Sequence, residues 1–234
     1  MSTLCWPNWL ARAAGWWAAA PRRAGCASWG SGVAERARLA VLLSGRGSNF
    51  AALADACDRG EVPATIVLVV SNRADAAGLE RARERGIPAA AIPSRGLTRE
   101  EHERLVVAAL ENARVEWVCL AGYMRLLSAE FVSRFPQRIL NIHPALLPAF
   151  PGLEAQRQAW VYGAKVSGCT VHLVDAGCDT GPIVLQRAVP VLDHDTPDTL
   201  AARILEQEHI AYPAALRLLL TRRWRLEGRR VVFE

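Results

Sequence analysis

Asn141 and His143 stand two apart in LNIHPALLPAF, where an apolar run gives way to Pro144, Pro148 and Pro151. In an extended chain residues i and i+2 project to the same side, so a carboxamide and an imidazole face one cleft together. A neutral amide donates to a developing oxyanion, and an imidazole moves a proton near neutral pH. On its own the pair also reads as a capped strand end with a half-buried histidine. A second stretch, DAGCDTGP at 175–182, offers two aspartates in a turn. Asp179 beside His143 would favour the imidazolium and raise its pKa. The other reading is a turn whose aspartates bond their own backbone. A calcium loop needs more oxygen ligands at regular spacing, so no metal is expected there. A third stretch, SGRGSN at 44–49, sits between an apolar run and an amphipathic one. Glycines there let the backbone approach an anion, and a following helix offers free N–H groups. It is neither a dinucleotide fingerprint, because Phe50 replaces the third small residue, nor a P-loop, because no Gly-Lys-Ser/Thr is present. A single phosphate group suits it, and so does a plain tight turn.

These residues need a frame, and the pattern supplies one. Strands are expected at 38–44, 64–71, 87–93, 116–122 and 138–143, the first as a continuous apolar run suited to a buried parallel strand. Helices are expected at 50–60, 74–86, 98–113 and 128–135. The third opens on a capping box, Thr98 with Glu101, and the fourth is capped by Ser128. This alternation implies an α/β fold: a Rossmann-like open, mostly parallel sheet with helices on both faces. After Pro151 the order changes. A helix is expected at 153–163, two hairpin-joined strands at 169–175 and 182–191, a helix at 196–220 interrupted near Pro213, and a terminal hairpin turning at Glu227-Gly228.

Of 234 residues 51% are apolar, ample for a core. The net charge of +5 is concentrated in residues 1–38, where five arginines face Glu35. The body is close to neutral and does not argue for a nucleic-acid surface. Arg222, Arg223, Arg225, Arg229 and Arg230 read as a solvated surface. The six cysteines form no C-x-x-C pair, and Cys119 reads as core, which fits a reduced cytoplasmic protein. No apolar stretch approaches 18 residues, so no spanning helix and no membrane partner is expected. Five of the eight tryptophans lie in the first 38 residues, without sustained periodicity. Residues 1–37 are expected to be a disordered extension of a catalytic domain at 38–234. A second reading is that they are not translated, with Val33 as an alternative start.

SGRGSN at 44–49, AGYMRLL at 121–127, NIHPALLPAFPG at 141–152, DAGCDTGP at 175–182 and QEHIAYP at 207–213 occur in that order. Together they resemble the phosphoribosylglycinamide formyltransferase family of purine synthesis over about residues 38–230. The resemblance implies transfer of a formyl group from 10-formyltetrahydrofolate, a co-substrate, to glycinamide ribonucleotide, with no covalent enzyme intermediate and no metal. Only small-molecule substrates are implied, with the protein a monomer or homodimer. The resemblance implies that Asn141, His143 and Asp179 are catalytic. It implies that Gly47, Ser48 and Asn49 hold the nucleotide phosphate and Glu208 the ribose. It implies that the folate meets Arg99 near its tail, and Met124, Arg125, Leu126, Leu127, Asn141 and Asp175, Ala176, Gly177, Cys178, Asp179 around its pterin. Ala145, where the family often has Ser, and Leu205, where an amide is common, depart from the pattern. Related readings are a formyltetrahydrofolate deformylase and a methionyl-tRNA formyltransferase, each expected to carry a further domain for which the flanking residues are too few. A non-catalytic phosphate- or folate-binding protein is the reading outside enzymes.

Overall fold

The computed structural model describes residues 36–234, so the expectations about the amino-terminal extension fall outside the described residues. Nine strands form one sheet in the order β3-β2-β1-β4-β5-β6-β7-β9-β8. The first five are β1 (Ala37–Leu43), β2 (Ala64–Ser71), β3 (Ala89–Ala91), β4 (Trp117–Leu120) and β5 (Ile139–His143), all parallel. Then β6 (Val166–Leu173) and β7 (Ile183–Pro190) run antiparallel to their predecessors, and β8 (Trp224–Glu227) with β9 (Arg230–Phe233) closes the edge as a hairpin. The sheet is thus open, mixed and mostly parallel.

The uniform apolarity of β1 has a simple cause. Leu39, Val41 and Leu43 join the core on one face, and Ala40 and Leu42 the core on the other. Period-two alternation is present, but both faces are buried. The first face packs against α1 (Ser48–Asp58), α2 (Ala77–Glu84) and α6 (Pro197–Thr221); the second packs against α3 (Arg99–Asn112) and α4 (Ala129–Arg134). The Thr98–Glu101 capping box opens α3, and Ser128 accepts from the Phe131 N–H to open α4. A short α5 (Ala155–Tyr162) follows the proline loop.

The boundaries differ from the sequence pattern in instructive ways. α1 begins at Ser48 instead of residue 50, because Gly47 takes the left-handed conformation (φ 73°) and caps the helix. A side chain at Gly47 would also stand 2.8 Å from the Gly78 Cα. α2 begins at Ala77, three residues later than the pattern suggested. β6 begins at Val166, because it pairs with β7 as far back as Pro190. α6 is one continuous helix through Pro213, where the sequence pointed to an interruption. Proline removes one backbone hydrogen bond. Burial of Ala211, Tyr212, Ala215 and Leu216 around it outweighs that loss. The carboxyl-terminal arginines are exposed, and Arg225 pairs with Glu227 and Glu234.

β1 neighbours both β2 and β4, so the strand order reverses there. Ligands of open α/β sheets bind beyond the carboxyl ends of strands at such a switch point. Leaving β1 and β4, the chain enters Ser44–Gly47 and Gly122–Leu127, and the Ser44 N–H donates to the Gly122 carbonyl at 3.1 Å. Beneath this point the buried Tyr212 hydroxyl lies 3.0 Å from the Leu120 carbonyl and 2.9 Å from the Leu140 carbonyl, tying α6 to the end of β4 and to β5 beside it. Tyr212→Phe is expected to cost about 1–2 kcal/mol of stability. In thermal unfolding that is roughly 2–8 °C of Tm for a domain of this size. An unchanged Tm would show that the tie is not holding the two strands.

Candidate active site

At the first site, α1 begins without a side-chain cap, and its first helical bond runs from the Ala51 N–H to the Gly47 carbonyl. The N–H groups of Ser48, Asn49 and Phe50 therefore have no partner within the helix and carry its positive end. This is an anion cradle of backbone donors. The Asn49 side chain is not part of it. Its Nδ2 donates to Glu208 Oε2 at 2.6 Å, and its Oδ1 is buried without a partner. Burial pushes the Glu208 carboxyl up against the opposing pull of Asn49. A buried carboxylate and an unpaired amide oxygen side by side suit a pair of hydroxyl donors.

At the second site, Asn141 and His143 lie along β5 and line one cleft, as their spacing predicts. Asp179 reaches them from the β6–β7 turn in the left-handed conformation (φ 54°), which Asp tolerates better than most residues. Its Oδ2 accepts from the Gly152 N–H at 2.9 Å and lies 3.3 Å from His143 Nδ1. Its Oδ1 lies 3.4 Å from Asn141 Nδ2 and 3.6 Å from His172 Nε2. Burial pushes this carboxyl up, but the contacts with His172, the Gly152 N–H and His143 outweigh it and bring the pKa down to about 2. Asp175 behaves differently. It accepts from the Gly177 N–H and the Thr180 hydroxyl, so this aspartate does shape its own turn.

His143 corrects an expectation. Asp179 was expected to hold it charged. Burial lowers its pKa by more than Asp179 and the Phe150 carbonyl raise it, with His172 adding to the fall. The ring therefore rests neutral at pH 7. Its Nε2 sits 2.8 Å from the Phe150 carbonyl. The Phe150 carbonyl at Nε2 and the Asp179 carboxylate at Nδ1 both only accept, so the single proton of the neutral ring serves one of them and leaves the other nitrogen with a lone pair. A proton arriving at Nδ1 meets a carboxylate already in place.

Asn141 is more committed than its sequence position suggested. His172 faces it across the β5–β6 register. The His172 Nδ1 lies 3.0 Å from the Leu173 carbonyl, and its Nε2 lies 3.1 Å from Asn141 Nδ2 and 3.6 Å from Asp179 Oδ1. The second N–H of Asn141 points to Asp179 over the longer 3.4 Å. His172 is the functional residue that sequence reasoning missed. Only the pairing of β6 beside β5 places it opposite Asn141, and nothing in CTVHLVD announces that pairing.

The cleft has a volume of about 450 Å³, within the range of small-molecule sites. Of the residues implied for folate, Met124, Arg125, Leu126, Leu127, Asn141, Asp175, Gly177, Cys178 and Asp179 line it. Arg99 and Ala176 do not; Arg99 pairs with Glu103 at 3.3 Å on its own helix. No cluster of three or more metal-ligating side chains occurs among the described residues.

Residues 37–216 match the formyl transferase family. Over 187 residues the chain is 52% identical to the trifunctional purine biosynthetic protein adenosine-3 of Drosophila pseudoobscura pseudoobscura, covering 79% of this chain but only 14% of that much longer one. It is 44% identical to the phosphoribosylglycinamide formyltransferase of Escherichia coli over 76% of this chain and 84% of that one. The crystal structure of glycinamide ribonucleotide transformylase 1 from Symbiobacterium toebii superposes with a TM-score of 0.83 at 50% identity, over 86% of this chain and 95% of that one.

The resting charge of His143 can be measured. Its ring, followed by NMR during acid titration, is expected to titrate below 6.5. Asp179→Asn should lower the midpoint further, because the carboxylate pulls it up. Between the folded midpoint and 6.5 the unfolded chain binds a proton that the folded ring resists, so this histidine subtracts stability as pH falls through that window. A midpoint above 6.5 in the unmutated chain would show that charge pairing outweighs burial.

Proposed function

The chain belongs to the formyl transferase family, and from that premise we propose that it moves the formyl group of 10-formyltetrahydrofolate to the amine of 5'-phosphoribosylglycinamide. The products are 5'-phosphoribosyl-N-formylglycinamide and tetrahydrofolate, in de novo purine synthesis. The observation that carries this reading is the meeting of Asn141, His143 and Asp179 on the wall of one cleft.

The backbone donors of Ser48 and Asn49, beyond Gly47, take the phosphate, as free N–H groups at a helix start suit an anion. Glu208 and the Asn49 oxygen accept from the ribose hydroxyls. The donor's heterocycle lies along Met124–Leu127 and Asp175–Asp179. Arg99, with its side chain 41% exposed outside the cleft wall, is available to an acidic tail. The activity resides in residues 38–234, of which the family match covers the part up to 216, with 1–37 as an extension. Four described cysteines are unpaired, which supports a reducing compartment, the cytoplasm.

The substrate amine attacks the formyl carbon, forming a C–N bond and pushing the carbonyl electrons onto oxygen. The amine proton passes to Nδ1 of the neutral His143, and Asp179 balances the new charge. Asn141 exchanges its long bond to Asp179 for the oxyanion. Collapse breaks the bond to N10 of the folate, which keeps the electron pair and takes the proton from His143. The neutral resting state of His143 makes it first an acceptor and then a donor.

Absorbance reports tetrahydrofolate release from 10-formyltetrahydrofolate with and without the nucleotide. Release is expected only with the nucleotide; release that ignores it would favour hydrolysis and overturn the transfer reading. His143→Ala should lower kcat about 10²–10⁴-fold while cooperative unfolding is retained. Turnover like that of the unmutated chain would end the assignment of His143.

A further inference from the structure

Residues 122–127 wall one side of the cleft without regular secondary structure. The segment is nevertheless pinned at both ends by side chains from other elements. At its entry the Ser44 hydroxyl accepts from the Met124 N–H at 2.8 Å and donates to Asn72 Oδ1 at 2.6 Å. At its exit Ser128 donates its N–H to Glu103 Oε1 at 2.9 Å and its hydroxyl to the other carboxylate oxygen. Arg99 Nε adds a third donor to Glu103 at 3.3 Å.

Glu103 is only 7% exposed and shares the buried side of α3 with His102, Val106 and Leu110. A carboxylate there is costly unless its oxygens are partnered. Capping α4 does not account for it, because Ser128 already caps that helix through its own hydroxyl. The carboxylate grips the residue that joins the wall to α4. It does not line the cleft itself.

We propose that Glu103 is a positioning residue for the formyl donor. It fixes the exit of the 122–127 wall, as Ser44 fixes the entry, and so holds the backbone groups of Met124–Leu127 in the geometry that a planar heterocycle meets. This rests on the reading that the cleft takes the formyl folate. With the exit released, the wall samples other positions and donor binding weakens, while Asn141, His143 and Asp179, none of which Glu103 contacts, keep their contacts with one another.

The test is a KM-against-kcat split in the full chain. Glu103→Ala is expected to raise KM for 10-formyltetrahydrofolate about tenfold, the scale of lost hydrogen bonds to a charged group. KM for the nucleotide and kcat at saturating donor should stay within about twofold of the unmutated chain, far below that hydrogen-bond scale. Glu103→Gln, which keeps one acceptor oxygen for the Ser128 N–H, should fall between the two and serves if the alanine variant does not fold. Tetrahydrofolate affinity by fluorescence quenching should weaken in step with the donor KM. Formyl transfer by the unmutated chain is measured first; its absence overturns both the reading of the cleft and this proposal. Transfer with an unmoved donor KM in either variant, or an equal rise in both KM values, overturns the proposal alone.

Discussion

The carboxylate of Asp179 gathers four groups from three places in the chain: Asn141 and His143 on β5, His172 on β6 and the Gly152 N–H in the proline loop. Each of these places needs a different part of the fold. The first two groups need β5 to end at the sheet's carboxyl edge, the third needs β6 to run antiparallel beside it, and the fourth needs the loop to fold back. The carboxylate itself needs a left-handed residue in its turn, a conformation retained where surrounding contacts dictate it. A buried charge of this kind is tolerable only when fully partnered, so the cluster constrains the fold as much as the fold builds the cluster.

Burial then decides the chemistry. Were the cleft wet, Asp179 would hold the neighbouring imidazole charged. With the ring buried, desolvation disfavours its charged form more than one carboxylate restores it. The histidine rests neutral with one ring nitrogen free to accept a proton. That poise suits a reaction in which a proton must first leave an attacking amine and then reach a departing nitrogen. The anion cradle of α1 and the Asn49–Glu208 pair lie at the same edge of the sheet, where the strand order reverses.

Much of this was legible in the sequence for local reasons. The spacing of Asn141 and His143 reports a shared face because a strand has period two. The apolar run of β1 reports burial on both faces, and Thr98 with Glu101 reports a helix start. What the sequence hid was set by tertiary context. His172 matters only through a strand register that no local pattern encodes. The charge of His143 depends on how much water the proline loop excludes. Pro213 reads as a break because the pattern cannot register the packing around Ala211 and Leu216. GRGSN pointed to the backbone of Asn49; that its side chain turns to Glu208, 159 residues away, no local pattern encodes.

The central claim is that His143 and Asp179 work as one unit, the ring taking the proton and the carboxylate its charge. A double-mutant cycle on kcat/KM for formyl transfer, with His143→Ala, Asp179→Asn and the double variant, tests it directly. Residues acting as a unit show strongly non-additive losses. Expected is a double variant about as slow as His143→Ala alone. Losses that multiply, with each substitution costing the same in the presence or absence of the other, would contradict the pairing.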